Sequence, residues 1–212
     1  MQQRSLFLTF EGMDGSGKTT QMRLLAERLR ARGRDVLETA EPGGTRIGIE
    51  IRRILLDAAN QELGPTAEML LYFACRAQNV DEWIKPALAE GKIVLSDRFT
   101  DSTLVYQGCG RGLGAETVMA LDRIACRGLV PELTLLIDID AETSLARAHA
   151  RNASAPNSET RMDEQSLAFH RQVYAAYHAL AAREPERVRI IDGRAPIEAI
   201  AAAIWKVVEP HV

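Results

Sequence analysis

Lys18 and Thr19 close the run Gly12-Met13-Asp14-Gly15-Ser16-Gly17-Lys18-Thr19, which meets the spacing G-x-x-x-x-G-K-[ST] in full and continues into Thr20. Glycines at these intervals free the backbone to wrap its N–H groups around phosphate oxygens, and a helix starting behind them adds positive potential. In such a loop the lysine ammonium reaches the β- and γ-phosphates of a nucleotide, and the threonine hydroxyl holds Mg2+. By itself the loop specifies nucleotide binding and nothing finer. Arginine is concentrated elsewhere, at Arg52 and Arg53, at Arg98, and at Arg147, Arg151 and Arg161. Local clusters of this kind suggest a small anionic substrate rather than a polyanion.

Elements of the right kind flank the loop. Ser5–Phe10 is a short apolar, β-prone run that reads as a buried parallel strand. Behind the loop, Met22, Leu25 and Leu29 recur at helical spacing, and Gly33 sits where a helix C-cap belongs. Further strands are expected at Asp35–Thr39, Lys92–Ser96, Leu133–Ile139 and Val188–Ile191. Helices are expected at Arg46–Asp57, Ala67–Leu88, Ala115–Arg127, Ala141–Arg151, Asp163–Arg183 and Ile197–Val208. Strands alternating with helices predict an α/β fold, with five parallel strands covered by helices on both faces and ligands along the C-terminal strand edge. Asn152–Thr160 is the one shift in composition. It is polar and turn-prone, and reads either as a plain surface loop or as a mobile lid between the flanking arginines.

Bulk properties narrow the class. A length of 212 residues predicts one domain with a substantial core. The net charge of −3 gives no electrostatic reason to expect a nucleic acid polymer as partner. Cys75, Cys109 and Cys126 are odd in number and widely spaced, so neither a disulfide framework nor a zinc pair is indicated, and a cytoplasmic setting is expected. The histidines form no metal-ligand pattern; His149, His170 and His178 read as solvated positions on helices. The N-terminal apolar run is too short for a signal peptide, and no stretch is long enough to span a bilayer, so no membrane association is expected.

Two further segments restrict the choice among phosphate-loop proteins. Glu41–Thr45 (EPGGT) follows the second expected strand. Asp97-Arg98-Phe99 follows the third and runs on to Ser102-Thr103 and Tyr106-Gln107-Gly108. There is no N-K-x-D run of the guanine-nucleotide switches. With these segments the chain resembles the bacterial thymidylate kinases over nearly its whole length. The family pattern E-G-x-[DE]-G-x-G-K-[ST]-[ST] is met by Glu11–Thr20, and R-E-P-G-G-T by Glu41–Thr45 with Ala40 in place of the arginine. F-x-A-x-R corresponds to Tyr72–Arg76, D-R-[YFH] to Asp97–Phe99, and the late R-x-[DE] to Arg161–Asp163.

The resemblance implies the three-layer phosphate-loop NTPase fold as a single domain over 1–212, with a lid at about 147–163. It implies transfer of the γ-phosphoryl of ATP to dTMP, giving dTDP and ADP, with Mg2+, in a homodimer. On this footing Arg98 and Arg52 would hold the acceptor phosphate, with Arg53 solvated. Asp97 either binds Mg2+ or orients an arginine; the reading of the residues also leaves open an Asp97–Arg98 ion pair. Asp14 would accept from the sugar 3′-hydroxyl, or else hold its own loop. Tyr72 would stack on thymine and Arg76 donate to its O4, with Thr103 and Gln107 on the remaining base edge and Tyr106 against the sugar. Arg147 would lie on the ATP side. Gly15 replaces an arginine that some relatives carry in the loop, so the catalytic arginine is expected from the lid, at Arg151 or Arg161. Two other readings stay open: another kinase, either a different nucleoside monophosphate kinase or a deoxynucleoside kinase with Glu41 as base, and a nucleotide switch without turnover.

Overall fold

The computed structural model describes residues 4–154 and 159–212. Five parallel strands form one sheet: β1 (Leu6–Glu11), β2 (Val36–Ala40), β3 (Ile93–Asp97), β4 (Leu133–Asp138) and β5 (Val188–Asp192). Their order is β2-β3-β1-β4-β5, so β1 lies at the centre and its loop opens at the middle of the sheet edge. In register, Phe10 pairs with Asp97 and Ala40 also pairs with Asp97, which brings the ends of β1, β2 and β3 level. The helices are α1 (Lys18–Ala31), α2 (Arg46–Leu56), α3 (Pro65–Asn79), α4 (Lys85–Ala89), α5 (Thr100–Thr103), α6 (Ala115–Cys126), α7 (Ala141–Ser154), α8 (Leu167–Arg183) and α9 (Ile197–Val208).

Both faces of the sheet are apolar because the strands are apolar on alternate and intervening positions alike. Leu6, Leu8 and Phe10 of β1 pack with Met22, Leu25 and Leu29 of α1 and with Ile200, Ile204 and Trp205 of α9. Phe7 and Val94 face the other way, against Met69 and Phe73 of α3 and Val118 and Ala125 of α6. Near-continuous burial of this kind is the mark of a parallel sheet sandwiched between helices.

Several expectations are corrected. The expected helix Ala67–Leu88 starts earlier, with Pro65 in its first turn, and does not run straight. Val80–Ile84 is π-helical, with Lys85 N bonded to Val80 O, and α4 follows with Pro86 at its start. Proline has no N–H to offer the carbonyl four residues back and its ring crowds that carbonyl, so the ladder widens just before it. The expected helix Asp163–Arg183 begins only at Leu167, because Ser166 caps it by accepting from Phe169 N. The expected loop Asn152–Thr160 is helical through Ser154, where α7 ends; residues 155–158 lie outside the described residues. Thr100–Gly110 was expected only as a motif and is helical throughout: α5, then a π-helical run Leu104–Gly110. Its glycines and β-branched residues are poor helix formers, and packing supplies what propensity lacks; a methyl group on Gly110 would meet the Phe169 ring at 2.6 Å. His170 is buried rather than solvated, since it falls on the same face of α8 as Val173 and Tyr177.

Candidate active site

The phosphate loop leaves the centre of the sheet at Glu11. Gly12 has φ 133°, and a methyl group there would sit 2.4 Å from Ile137 O of β4, so only glycine lets the chain turn past its neighbouring strand. Gly15 has φ 73° and faces α7, where an added methyl group would come within 2.7 Å of Arg147 Cβ. Helix α7 clamps the loop from outside: Ser144 Oγ donates to Asp14 O at 2.6 Å and Arg147 Nη1 to Gly15 O at 3.3 Å. Lys18 lies back across the loop, its Nζ 2.8 Å from Met13 O, 3.1 Å from Gly12 O and 3.5 Å from Ser16 Oγ. Burial, with help from the Arg98 charge, pushes its ammonium down to about 8.

Asp97 and Arg98 are neighbours in sequence with different partners, so no ion pair joins them among the described contacts. Asp97 Oδ2 accepts from Thr19 Oγ1 at 2.6 Å. Two hard oxygen donors thus stand together beside the loop, the ligand type that suits Mg2+. Arg98 has φ 71°, a left-handed conformation costly for a side chain of its size. Its N–H donates to Phe10 O at 2.9 Å, and its carbonyl accepts from Ser96 Oγ at 2.7 Å, which fixes that geometry. Arg98 Nη2 donates to Asp14 Oδ1 at 2.9 Å and Nη1 to Ser102 Oγ at 3.0 Å. Asp14 therefore neither holds its own loop nor stands alone in it. Burial works against its charge, but Arg98 and Lys18 outweigh burial and hold the carboxyl well below the usual range.

A cleft of about 760 Å³ runs from Lys18, Thr19 and Thr20 to Tyr72, Arg76 and Gln107. At its floor Arg76 is buried between the Phe73 and Phe99 rings, 4.9 and 5.1 Å from their centres. Its Nε donates to Glu41 Oε2 at 2.6 Å, and Nη2 donates to Phe99 O and Thr103 Oγ1, both at 3.0 Å. Its Nη1 has no partner among the described residues. Glu41 Oε1 accepts from Asn79 Nδ2 at 3.2 Å, so both Glu41 oxygens are committed and the residue is a fixed counterion to Arg76, poorly suited to act as a base. Tyr72 is half-buried one turn before Arg76 on α3 and lines the same cleft. The Tyr106 ring lies 5.1 Å from the Arg98 guanidinium, and its hydroxyl also lacks a partner among the described residues.

Arg52 grips Glu159 Oε2 with Nε at 3.0 Å and Nη2 at 2.9 Å, while Arg53 is solvated beside Glu50 as expected. Arg151 lines the cleft, half exposed, and donates to Asp163 Oδ2 at 2.8 Å. Arg161 does not reach the cleft. Its Nε donates to Leu55 O at 2.6 Å and its Nη1 lies 2.7 Å from Glu68 Oε2, with the side chain buried. These contacts, with Arg161 N bonded to Leu56 O, turn it away from the cleft, so the expectation of Arg161 as a transfer group is replaced by an anchoring position.

Glu11 was not foreseen as a site residue. It is fully buried under Arg98 and accepts from Phe99 N at 2.8 Å, Ser102 Oγ at 2.5 Å and Tyr177 Oη at 2.8 Å. A carboxylate ending an otherwise apolar strand was the available signal; Tyr177 offered none.

A glycine loop at the centre of a parallel sheet, with converging arginines opposite, defines a phosphate-loop kinase acting on a small phosphorylated acceptor. A family model described as thymidylate kinase matches residues 10–204. The chain is 52% identical over 200 residues to a thymidylate kinase of Pelobacter propionicus, covering 93% of this chain and 91% of that one. It is 50% identical over 199 residues to one of Geobacter sulfurreducens, covering 93% of each. A crystal structure of thymidylate kinase from Ehrlichia chaffeensis superposes with a TM-score of 0.77 at 32% identity, covering 97% of this chain and 99% of that one. The chain belongs to the thymidylate kinase family.

Glu11 generates a pH prediction. Burial, with the Asp101 charge adding and Arg98 opposing, pushes its carboxyl from 4.5 up to about 7. A carboxyl with a raised folded-state value stabilises the fold when protonated, and that contribution is lost as pH rises toward the folded value. Wild type should therefore lose melting temperature relative to Glu11→Gln between about pH 5 and pH 7, by calorimetry. A gap that stays constant or moves in wild type's favour would contradict it.

Proposed function

We propose that this chain transfers the γ-phosphoryl of ATP to dTMP, giving dTDP and ADP, as a cytoplasmic enzyme of dTTP biosynthesis. One observation carries the choice of acceptor. The cleft that begins at the phosphate loop ends at Tyr72 and Arg76, an aromatic face and a guanidinium held by Glu41, with Nη1 buried and without a partner among the described residues. Thymine can stack on the ring and accept at O4. Cytosine presents an amino donor at that position, and meeting a second donor penalises it.

The acceptor oxygen is already anionic, so the chain needs no strong base. The barrier lies in bringing two anions together: two unit charges at 4 Å repel by about 4 kcal/mol at an effective dielectric of 20. Lys18 and the N–H groups of the phosphate loop hold the donor phosphates, with Arg147 on the same side. Arg98 and Arg52 grip the acceptor phosphate, and each gives up a carboxylate to do so. Asp14, released from Arg98, is free to accept from the sugar 3′-hydroxyl. Tyr106 bounds the sugar, and Thr103 and Gln107 complete the base edge. When bound between Thr19 and Asp97, Mg2+ would supply further neutralisation of donor phosphate charge. Arg151, on a lid spanning about 147–163, supplies the arginine that Gly15 does not.

A homodimer is part of the same reading. Helix α3 leaves Leu70 49% exposed, and α6 leaves Met119 37% and Ile124 72% exposed. Apolar side chains on two packed helices suit a second copy of this chain.

Coupled ADP release with dTMP, dUMP, dCMP, AMP, GMP and thymidine tests the acceptor. Rapid turnover with dTMP, weaker with dUMP, near zero with the rest and lost on chelating Mg2+ is expected. Preference for thymidine would move the enzyme to the nucleoside kinases, and silence with tight ATP binding would leave the switch reading. Arg151→Ala should lower kcat by about 10³, the low end for arginine fingers, with a much smaller change in the KM for ATP; a kcat within a few-fold of wild type would exclude the role. Sedimentation equilibrium should give a dimer that Ile124→Asp converts to monomer, whereas a monomeric wild type at micromolar concentration would refute it.

A further inference from the structure

Glu68 stands in the first turn of α3, fully buried. Its Oε1 accepts from Gln107 Nε2 at 2.8 Å and Arg111 Nε at 3.2 Å. Its Oε2 accepts from Arg111 Nη2 at 3.0 Å and lies 2.7 Å from Arg161 Nη1. Gln107 belongs to the π-helical run after α5, and Arg161 opens the segment whose Met162 and Asp163 line the cleft. One carboxylate thus touches two walls of the substrate cleft from behind.

Chemistry fixes an orientation here. An ionised carboxylate only accepts hydrogen bonds, so a carboxamide meeting it must present its N–H end. Gln107 lines the cleft, and its carbonyl oxygen is the end left to face it. Burial pushes the Glu68 carboxyl up, but hydrogen bonds from Arg111, Gln107 and Arg161 more than reverse this and leave it below the usual range. The carboxylate therefore stays ionised near neutral pH and the amide has no reason to turn. An acceptor at Gln107 and a donor at Arg76, both lining the cleft, match thymine, which offers an acceptor at O4 and a donor at N3–H. Cytosine reverses both.

We propose that Glu68 is a positioning residue for base selection: its buried carboxylate obliges Gln107 to offer its carbonyl oxygen to the acceptor base. The inference rests on the reading of Gln107 as a base-facing residue. A glutamine at 68 would accept or donate, and Gln107 would no longer be held to one orientation.

Glu68→Gln, Gln107→Leu and wild type are compared with dTMP and dCMP by steady-state kinetics, with melting curves as the check on folding. In Glu68→Gln the ratio of kcat/KM for dTMP over dCMP should fall at least about tenfold, mainly through a higher KM for dTMP. A loss of folded protein alone would lower both substrates equally and leave that ratio intact. An unchanged ratio in folded Glu68→Gln, with a lowered one in Gln107→Leu, overturns the role of Glu68 while base reading by Gln107 stands. An unchanged ratio in Gln107→Leu overturns both. If Glu68→Gln does not fold, the side-chain amide of Gln107 in the wild-type enzyme decides by nuclear magnetic resonance. Protection of its N–H protons from solvent exchange is expected, and exchange as fast as that of an exposed glutamine overturns the proposal.

Discussion

A cleft that joins two phosphates must concentrate positive charge and still fold when no phosphate is present. In this chain the constraint is met by setting a carboxylate against each of five arginines. Arg98 has Asp14, Arg76 has Glu41, Arg52 has Glu159, Arg151 has Asp163 and Arg161 has Glu68. Lys18 alone among these cations rests on neutral carbonyl oxygens, and it is the one whose ammonium is pushed down. Without the carboxylates the guanidinium groups would repel one another in a space where water screens them poorly.

The pairs differ in what they leave free. Arg76–Glu41 is almost wholly buried, with both Glu41 oxygens occupied and one guanidinium nitrogen left over. A pair so enclosed gains little net stability over an apolar equivalent, because desolvation of both charges offsets their attraction. Removing one partner would strand the other, at about 3–5 kcal/mol. What the pair does provide is a donor whose direction is fixed. Arg52–Glu159 is partly exposed and Arg151 is half exposed over a buried Asp163; near solvent an ion pair contributes about 0–1 kcal/mol. The enclosed pair thus holds its guanidinium in one direction, whereas the more exposed pairs leave theirs freer to change partners.

Local pattern explains why so much was readable in the chain. The five strands were found because a strand buried on both faces is a short apolar run between turns, and the loop was found because phosphate wrapping demands glycine at set intervals. Local pattern does not suffice where neighbours along the chain do not decide the outcome. Thr100–Gly110 has weak helix formers and is helical because Phe169 and the sheet pack against it. His170 stands next to Arg171 and Gln172 in sequence but on the buried face of α8 in space. Arg161 and Arg151 are alike in sequence, but Leu55 O and Glu68 hold Arg161 inward while Arg151 stays at the cleft.

The sequence by itself determined the sheet, the phosphate loop, the set of arginines and, through ordered motifs, the family. Those depend on residue type at short spacing, which the chain states directly. The tertiary structure alone decided which carboxylate each arginine meets, since Asp14 and Arg98 are 84 residues apart and Arg52 and Glu159 are 107 apart. It also brought Glu11 and Tyr177 together behind Arg98, and Glu68 against Gln107. Partnerships across such distances are set by how helices pack over the sheet, and no periodicity along the chain records them.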